Sequence, residues 1–284
     1  MYQKSAGRLK DISPVQLNNI HLPIVPPPAD RLQVIPGLNP DQELYWVKMG
    51  IAFENAAAAE AKNDTKLVYF RTALAIHQLT LEMNPINGYN YNNKGRVLKS
   101  MGEAFGDAQY FQKALEHYEK AIGLDENNVY FNLDKANVLL SLGQAPAAYE
   151  TCQKLSDKFP DFAVPYSYMG FMKMRAGQVE DAIKLFDKAV NADWKRDIGS
   201  RALAATNLGL LLGDRGKAGD DAAAQKAYQQ ALATNPGFAE AYLNLAKLHL
   251  KRGRRGEALA TVERCLQAVP NHPGALALAK QLRP

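Results

Sequence analysis

The stretch Ala239–His272 constrains this chain more than any other part of it. Its first half carries Tyr242, Leu245, Ala246 and His249, spaced 0, 3, 4 and 7. Its second half carries Ala258, Val262, Cys265 and Leu266, spaced 0, 4, 7 and 8. Both spacings place small or apolar side chains on one face of a helix. Gly253 stands between the halves, where a helix can end and reverse, and Pro270 closes the stretch. Two short helices and a turn in 34 residues cannot bury both faces alone. Such a unit has to stack on copies of itself.

The copies are present. Trp46, Met49, Gly50 and Phe53 repeat the first spacing, followed by Ala73, His77 and Thr80 and closed by Pro85. Tyr91, Lys94, Gly95 and Leu98 lead to Ala114, Tyr118 and Ala121. Ala136, Leu139 and Gly143 lead to Ala148, Cys152 and Leu155, with Pro160 at the end. Tyr166, Met169 and Gly170 precede the turn residue Gly177, then Ala182, Phe186 and Ala189. Ala205, Leu208, Gly209 and Leu212 precede Ala224, Tyr228, Ala231 and Pro236. With the opening stretch these make six helix-turn-helix repeats, near 43–87, 88–128, 129–162, 163–196, 202–238 and 239–272. Residues 274–283 read as a capping helix. The first two repeats are longer than 34 residues, and the helical character of 56–61 and 104–111 predicts longer helices there rather than long loops.

Residues 1–40 differ in kind, holding seven of the fifteen prolines. Proline at that density favours extended backbone. A linker and an arm docked on the helices are both compatible with the apolar run Ile20–Val25, and a short helix is compatible with 5–12. The chain as a whole is 47% hydrophobic and only 9% aromatic, which suits close packing of helices. A net charge of +5 from 34 basic and 29 acidic side chains is mixed in sign and does not imply nucleic acid. Cys152 and Cys265 lie on apolar helix faces and read as small buried hydrophobes. The five histidines have no metal spacing, and the carboxylates are scattered singly, so neither a metal nor catalysis is expected. No apolar window reaches the length of a membrane span and no signal peptide is evident, which leaves cytoplasm and periplasm both open.

The recurring pattern resembles the tetratricopeptide repeat, aromatic-x2-L-G-x2-aromatic in the first helix and A-x3-aromatic in the second. Trp46-x2-Met49-Gly50-x2-Phe53 carries the first half of the likeness. Ala182-x3-Phe186 and Ala224-x3-Tyr228 carry the second. The resemblance covers residues 43–283. It departs at Lys94 and Lys135, which replace large apolar residues, at Lys173, which replaces an aromatic, and at Trp194, which replaces the closing proline. It implies an all-α, right-handed superhelical solenoid with the Pro-rich arm at its N-terminus. It also implies a non-enzymatic protein–protein interaction scaffold without cofactor, binding a protein or peptide in a concave groove lined by the first helices. More narrowly, Asn84–Arg96, Tyr118–Ile122 and Phe131–Ala136 are similar to the soluble repeat region of bacterial O-antigen ligase and polymerase-like membrane proteins. That likeness implies an accessory domain in glycan transfer.

Carried over position by position, the tetratricopeptide likeness places Lys48, Ile51, Tyr89, Asn92, Asn93, Arg96, Lys99, Tyr130, Asp134 and Asn137 in the groove. Tyr168, Phe171, Arg175, Leu203, Asn207, Leu210, Asn244, Lys247 and Lys251 follow. Asn93, Asn207 and Asn244 occupy equivalent positions, and their amides suit the backbone of an extended peptide. Arg96, Lys99, Lys247 and Lys251 would favour acidic groups. Tyr168, Phe171 and Leu210 would offer an apolar pocket. Leu133 and Asp134 interrupt the charge clamp of the chaperone-binding members, so chaperone-tail binding is not expected. Self-association, with one copy occupying the groove of another, is a third reading of the same surface.

Overall fold

The computed structural model describes residues 40–195 and 197–283. The Pro-rich arm and the short helix anticipated within it lie outside those residues, apart from Pro40. Among the described residues there are thirteen α-helices and a single isolated backbone bridge between Phe162 and Asp193. They divide into two compact units, up to Gln144 and from Ala145 onward. The division falls inside the third of the six repeats, between its two helices.

The first unit holds α1 (Pro40–Ala59), α2 (Asn63–Met83), α3 (Gly88–Phe105), α4 (Ala108–Leu124) and α5 (Val129–Ser141). α1 pairs with α2 and α3 with α4, and the second helix of each hairpin packs on the first helix of the next. The extra residues of the first two repeats do lengthen helices: α1 to α4 run 20, 21, 18 and 17 residues, against 13 for α5. The predicted helix over 104–111 is broken by Gly106, which takes a left-handed conformation at φ +67°.

Phe53, Phe70, Ile76, Val97 and Met101 fill the core between the first hairpin and α3. Tyr118 fills the next layer, fully buried against Leu98, Ala114 and Val138. The ring of Tyr118 explains Gly95, because a Cβ there would lie 2.7 Å from Tyr118 Cε1. Asn87, Asp107 and Asn128 cap α3, α4 and α5 by accepting from the backbone N–H groups of the first turn. Glu43 of α1 is held from the turn between α2 and α3. Its carboxylate accepts from the amides of Asn84, Asn87 and Asn90 at 3.0, 2.8 and 2.7 Å. Burial works against the ionised form, but the three hydrogen bonds outweigh it and hold the Glu43 pKa below the usual carboxylate range.

The second unit holds α6 (Ala145–Lys158), α7 (Ala163–Arg175), α8 (Val179–Asn191), α9 (Ile198–Arg215), α10 (Asp220–Thr234), α11 (Ala239–Lys251), α12 (Arg255–Ala268) and α13 (Pro273–Leu282). The packing rule is unchanged: α7 pairs with α8, α9 with α10, α11 with α12, and α13 closes on α12. Gly209 faces Tyr228 as Gly95 faces Tyr118, with a Cβ placed 2.8 Å from the ring. Trp194, standing where the pattern has proline, is buried and donates from its indole nitrogen to the Ala189 carbonyl at 2.7 Å. It closes α8 by a hydrogen bond instead of by a missing donor.

The other departures are absorbed at the surface. Lys94 reaches Gln78 at 2.7 Å and Lys135 reaches Glu119 at 3.0 Å, each sixteen residues back. Lys173 sits over the Tyr149 ring at 5.0 Å. Both cysteines are buried and unpaired, and burial raises both thiol pKa values, that of Cys152 to about 12.

Candidate functional site

α1, α3, α7, α9 and α11 are the first helices of their hairpins, each with one face on the helix that follows it, and α5 holds the same place in the repeat pattern. The opposite face carries a stripe at spacing 0, 4, 7 and 11. On α3 this stripe is Tyr89, Asn93, Arg96 and Ser100, and on α5 it is Tyr130, Asp134, Asn137 and Ser141. On α7 it is Val164, Tyr168, Phe171 and Arg175. On α9 it is Leu203, Asn207, Leu210 and Asp214, and on α11 Glu240, Asn244, Lys247 and Lys251.

Within each unit, hydrogen bonds and ion pairs join neighbouring stripes and fix them side by side. In the first unit Arg96 of α3 donates to Glu54 of α1 at 2.9 Å, and Ser100 donates to the other carboxylate oxygen at 3.1 Å. Asn92 of α3 donates to Asp134 of α5 at 2.9 Å. In the second unit the Lys251 ammonium of α11 donates to the Gly213 carbonyl of α9 at 2.9 Å and lies 3.6 Å from Asp214.

This geometry sorts the anticipated groove residues. Arg96 is paired with Glu54, Lys99 with Glu103 at 2.6 Å, and Lys251 with α9, so three of the four cations expected to attract acidic groups already have partners. Lys247 is exposed and makes no hydrogen bond or ion pair among the described residues. Asn92 is buried with its N–H committed, and its Oδ1 lacks a hydrogen bond. Burial is the main influence on the Asp134 carboxyl and raises its pKa, although Asn92 and the charges of Arg96 and Lys99 work the other way. Asn93 is buried, whereas Asn207 and Asn244 are half-buried. None of these three side-chain amides is hydrogen-bonded among the described residues.

Asn137 and Tyr168 are half-buried on their stripes. Tyr89 is exposed, packs its ring edge-to-face on Phe131 at 5.0 Å and accepts from Asn128 at 3.3 Å. Phe171, Leu203 and Leu210 are large apolar side chains left 40%, 45% and 37% exposed.

Two features escaped the sequence reading. Glu54 is buried and accepts from Arg96 and Ser100, a pairing not foreseen for carboxylates scattered singly along the chain. The second is a cleft of ≈ 670 Å³ on the other side of the second unit, between α10 and α12. Its floor is Tyr242, Leu245 and His249, and Ala233 and Ala260 leave its rim open. The signal available for it was the small residue on each facing helix. The basic residues Arg252, Arg254 and Arg255 are each tied down: Arg252 pairs with Asp221 at 2.6 Å, Arg254 with Glu257 at 3.3 Å, and Arg255 donates to the Gln281 carbonyl. Among the described residues no group of histidine, cysteine and carboxylate side chains is arranged to hold a metal ion.

The stacked hairpins, with one face of each first helix left open, define an all-α repeat scaffold. Residues 107–169 and 217–282 match the family model of the tetratricopeptide repeat. Over those two segments the chain carries tetratricopeptide repeats, an architecture of protein-interaction scaffolds. It is 36% identical over 105 residues to cellulose synthase operon protein C of Pseudomonas fluorescens, covering 36% of this chain and 8% of that protein. It is 26% identical over 134 residues to small glutamine-rich tetratricopeptide repeat-containing protein 2 of Mycosarcoma maydis, covering 47% and 38%. The chain thus spans well under half the length of these curated relatives. Among solved structures, pilF of Pseudomonas aeruginosa superposes with a TM-score of 0.59 at 14% identity, over 85% of this chain and 98% of that one. Yeast Tom70 gives 0.59 at 16% identity, over 86% and 55%. These likenesses concern the fold. The narrower likeness to O-antigen ligases gains no support from them. No described helix is long and apolar enough to cross a membrane.

Proposed function

We propose that the chain is a non-enzymatic scaffold whose first-helix faces hold an extended segment of a partner protein. The observation that carries this reading is the state of the three equivalent asparagines. Asn93, Asn207 and Asn244 sit at one register position, with side-chain amides that make no hydrogen bond among the described residues and keep some contact with solvent. An amide open to solvent and free of partners within the fold can exchange water for a peptide backbone, which offers both a donor and an acceptor. The exposed Phe171, Leu203 and Leu210 add apolar area beside the amides in the second unit.

The test is capture of a partner by the intact chain, repeated with Asn93→Ala combined with Asn207→Ala. Binding weakened with an unchanged melting temperature supports the proposal. A partner that binds the double variant as well as the parent refutes it, and mutation of Tyr242 or Leu245 would then test the cleft between α10 and α12.

A further inference from the structure

Among the cations on the stripe faces of the second unit, Lys251 is paired with α9 and Arg175 lies over the Phe171 ring at 5.9 Å, which leaves Lys247. What remains in the second unit is an ordered set: apolar Leu203 and Leu210 on α9, unbonded amides at Asn207 and Asn244, and unpaired Lys247 on α11. Leu210 and Lys247 hold the same stripe position on adjacent helices. The contact of Lys251 with Asp214, the next position along both stripes, shows the two helices in that register.

Adjacent packed helices lie about 8–10 Å apart. A segment in polyproline-II backbone advances about 3.1 Å per residue with three residues per turn, so side chains three apart share one face. A segment crossing from α9 to α11 therefore presents side chains to Leu210 and Lys247 from positions three residues apart. We propose that this face selects segments in which a leucine-sized or aromatic side chain stands three residues from an aspartate or glutamate. The apolar group covers Leu203 and Leu210, the amides of Asn207 and Asn244 hold the backbone between, and the carboxylate pairs with Lys247. Lys251 cannot take that role without leaving the Gly213 carbonyl and Asp214. The spacing is the same whichever way the segment runs. This specificity rests on the scaffold reading above and goes beyond it.

Selection of short random peptides displayed on phage against the full chain tests it. Enriched peptides should pair an apolar residue with an acidic one at a separation of three. The preference should disappear with Lys247→Ala and turn to lysine or arginine with Lys247→Glu. For a selected peptide made with glutamate and again with glutamine, fluorescence anisotropy should give about two- to fivefold tighter binding for glutamate, the range of a partly exposed ion pair. That margin should shrink as salt is raised. Enrichment without acidic residues, or acidic enrichment that survives Lys247→Glu, overturns the specificity. If selected peptides still lose affinity with Asn207→Ala and Asn244→Ala, the scaffold reading stands without it. Peptides indifferent to the asparagines, or no enrichment at all, count against both.

Discussion

Replacing Glu43 by glutamine should destabilise the first unit, and by an amount that depends on pH. The Glu43 carboxylate accepts from three amides, those of Asn84, Asn87 and Asn90, all within 3.0 Å. Glutamine offers one acceptor oxygen and turns an NH2 group toward amide donors, so at least one of these bonds is lost and another becomes a donor–donor contact. Hydrogen bonds to a charged group contribute about 1.5–3 kcal/mol each when desolvated. Glu43 is only half-buried, and Asn90 keeps its bonds to the Thr80 and Asn84 carbonyls, which argues for the lower part of that range, about 2 kcal/mol in all. For a chain of this size, that corresponds to a fall in melting temperature of about 4–8 °C. Repeat arrays can melt in parts, so amide exchange in α1 and in the turn 84–87 is the sharper readout. The pH dependence follows from the lowered pKa. A carboxyl depressed in the folded state contributes stability above its unfolded pKa and loses it as pH falls through the folded value. The gap between the parent chain and Glu43→Gln should therefore be full at pH 7 and close below the ordinary carboxylate pKa of 4.5. Equal stabilities at pH 7, or a gap that persists at acid pH, would refute the reasoning.

Three further outcomes follow from the packing. Gly95→Ala and Gly209→Ala each push a methyl group to within 2.8 Å of a buried tyrosine ring, and should each cost about 1–3 kcal/mol in urea unfolding. His77 is fully buried with neither ring nitrogen bonded, and burial, with the charges of Arg96 and Lys94 adding to it, lowers its pKa to about 4. A folded pKa below the unfolded one means that protonation favours unfolding. The chain should lose about 2 kcal/mol between pH 7 and pH 5 through this residue, and His77→Leu should flatten that part of the profile. The Cys152 thiol, raised to about 12 by burial, should resist alkylation at pH 8 in the native chain and react on unfolding, as quantified by mass spectrometry.

The repeat architecture was legible because one spacing recurs and four of its recurrences set a glycine against a large ring. Gly95 with Tyr118 and Gly209 with Tyr228 are that rule seen in contact. Helix ends were legible in part. Gly253 marks a turn at φ +74°, as its position foretold, but Gly106 broke a segment whose alanine and aromatic residues read as continuous helix. The role of Trp194 was not legible. An indole that donates to its own helix end at Ala189 has no signature in a pattern built on the absence of a donor in proline.

Side-chain pairing across helices was the least legible property, and it decides which residues of the candidate site are free. Arg96 and Lys247 stand at equivalent positions and look interchangeable in sequence. Their difference lies on the neighbouring first helices: Glu54 of α1 reaches Arg96, whereas α9 presents Leu210 at the position beside Lys247. A carboxylate some forty residues away cannot be matched to a cation until the stacking register is known. The same register removes Asn92 from the free set by giving it Asp134, while Asn93, one residue further on, faces along the stripe without a bonded partner. Arg96→Ala should therefore act as an unpairing mutation. It strands the shielded Glu54, weakening the first unit by about 1–3 kcal/mol, and the double variant Arg96→Ala with Glu54→Ala should recover much of that loss. Lys247→Ala should leave stability within about 0.5 kcal/mol of the parent, because nothing in the fold depends on its charge. Chemical unfolding of the four chains separates the two cations, and equal losses for Arg96→Ala and Lys247→Ala would show that the pairing seen across α1 and α3 does not govern the site.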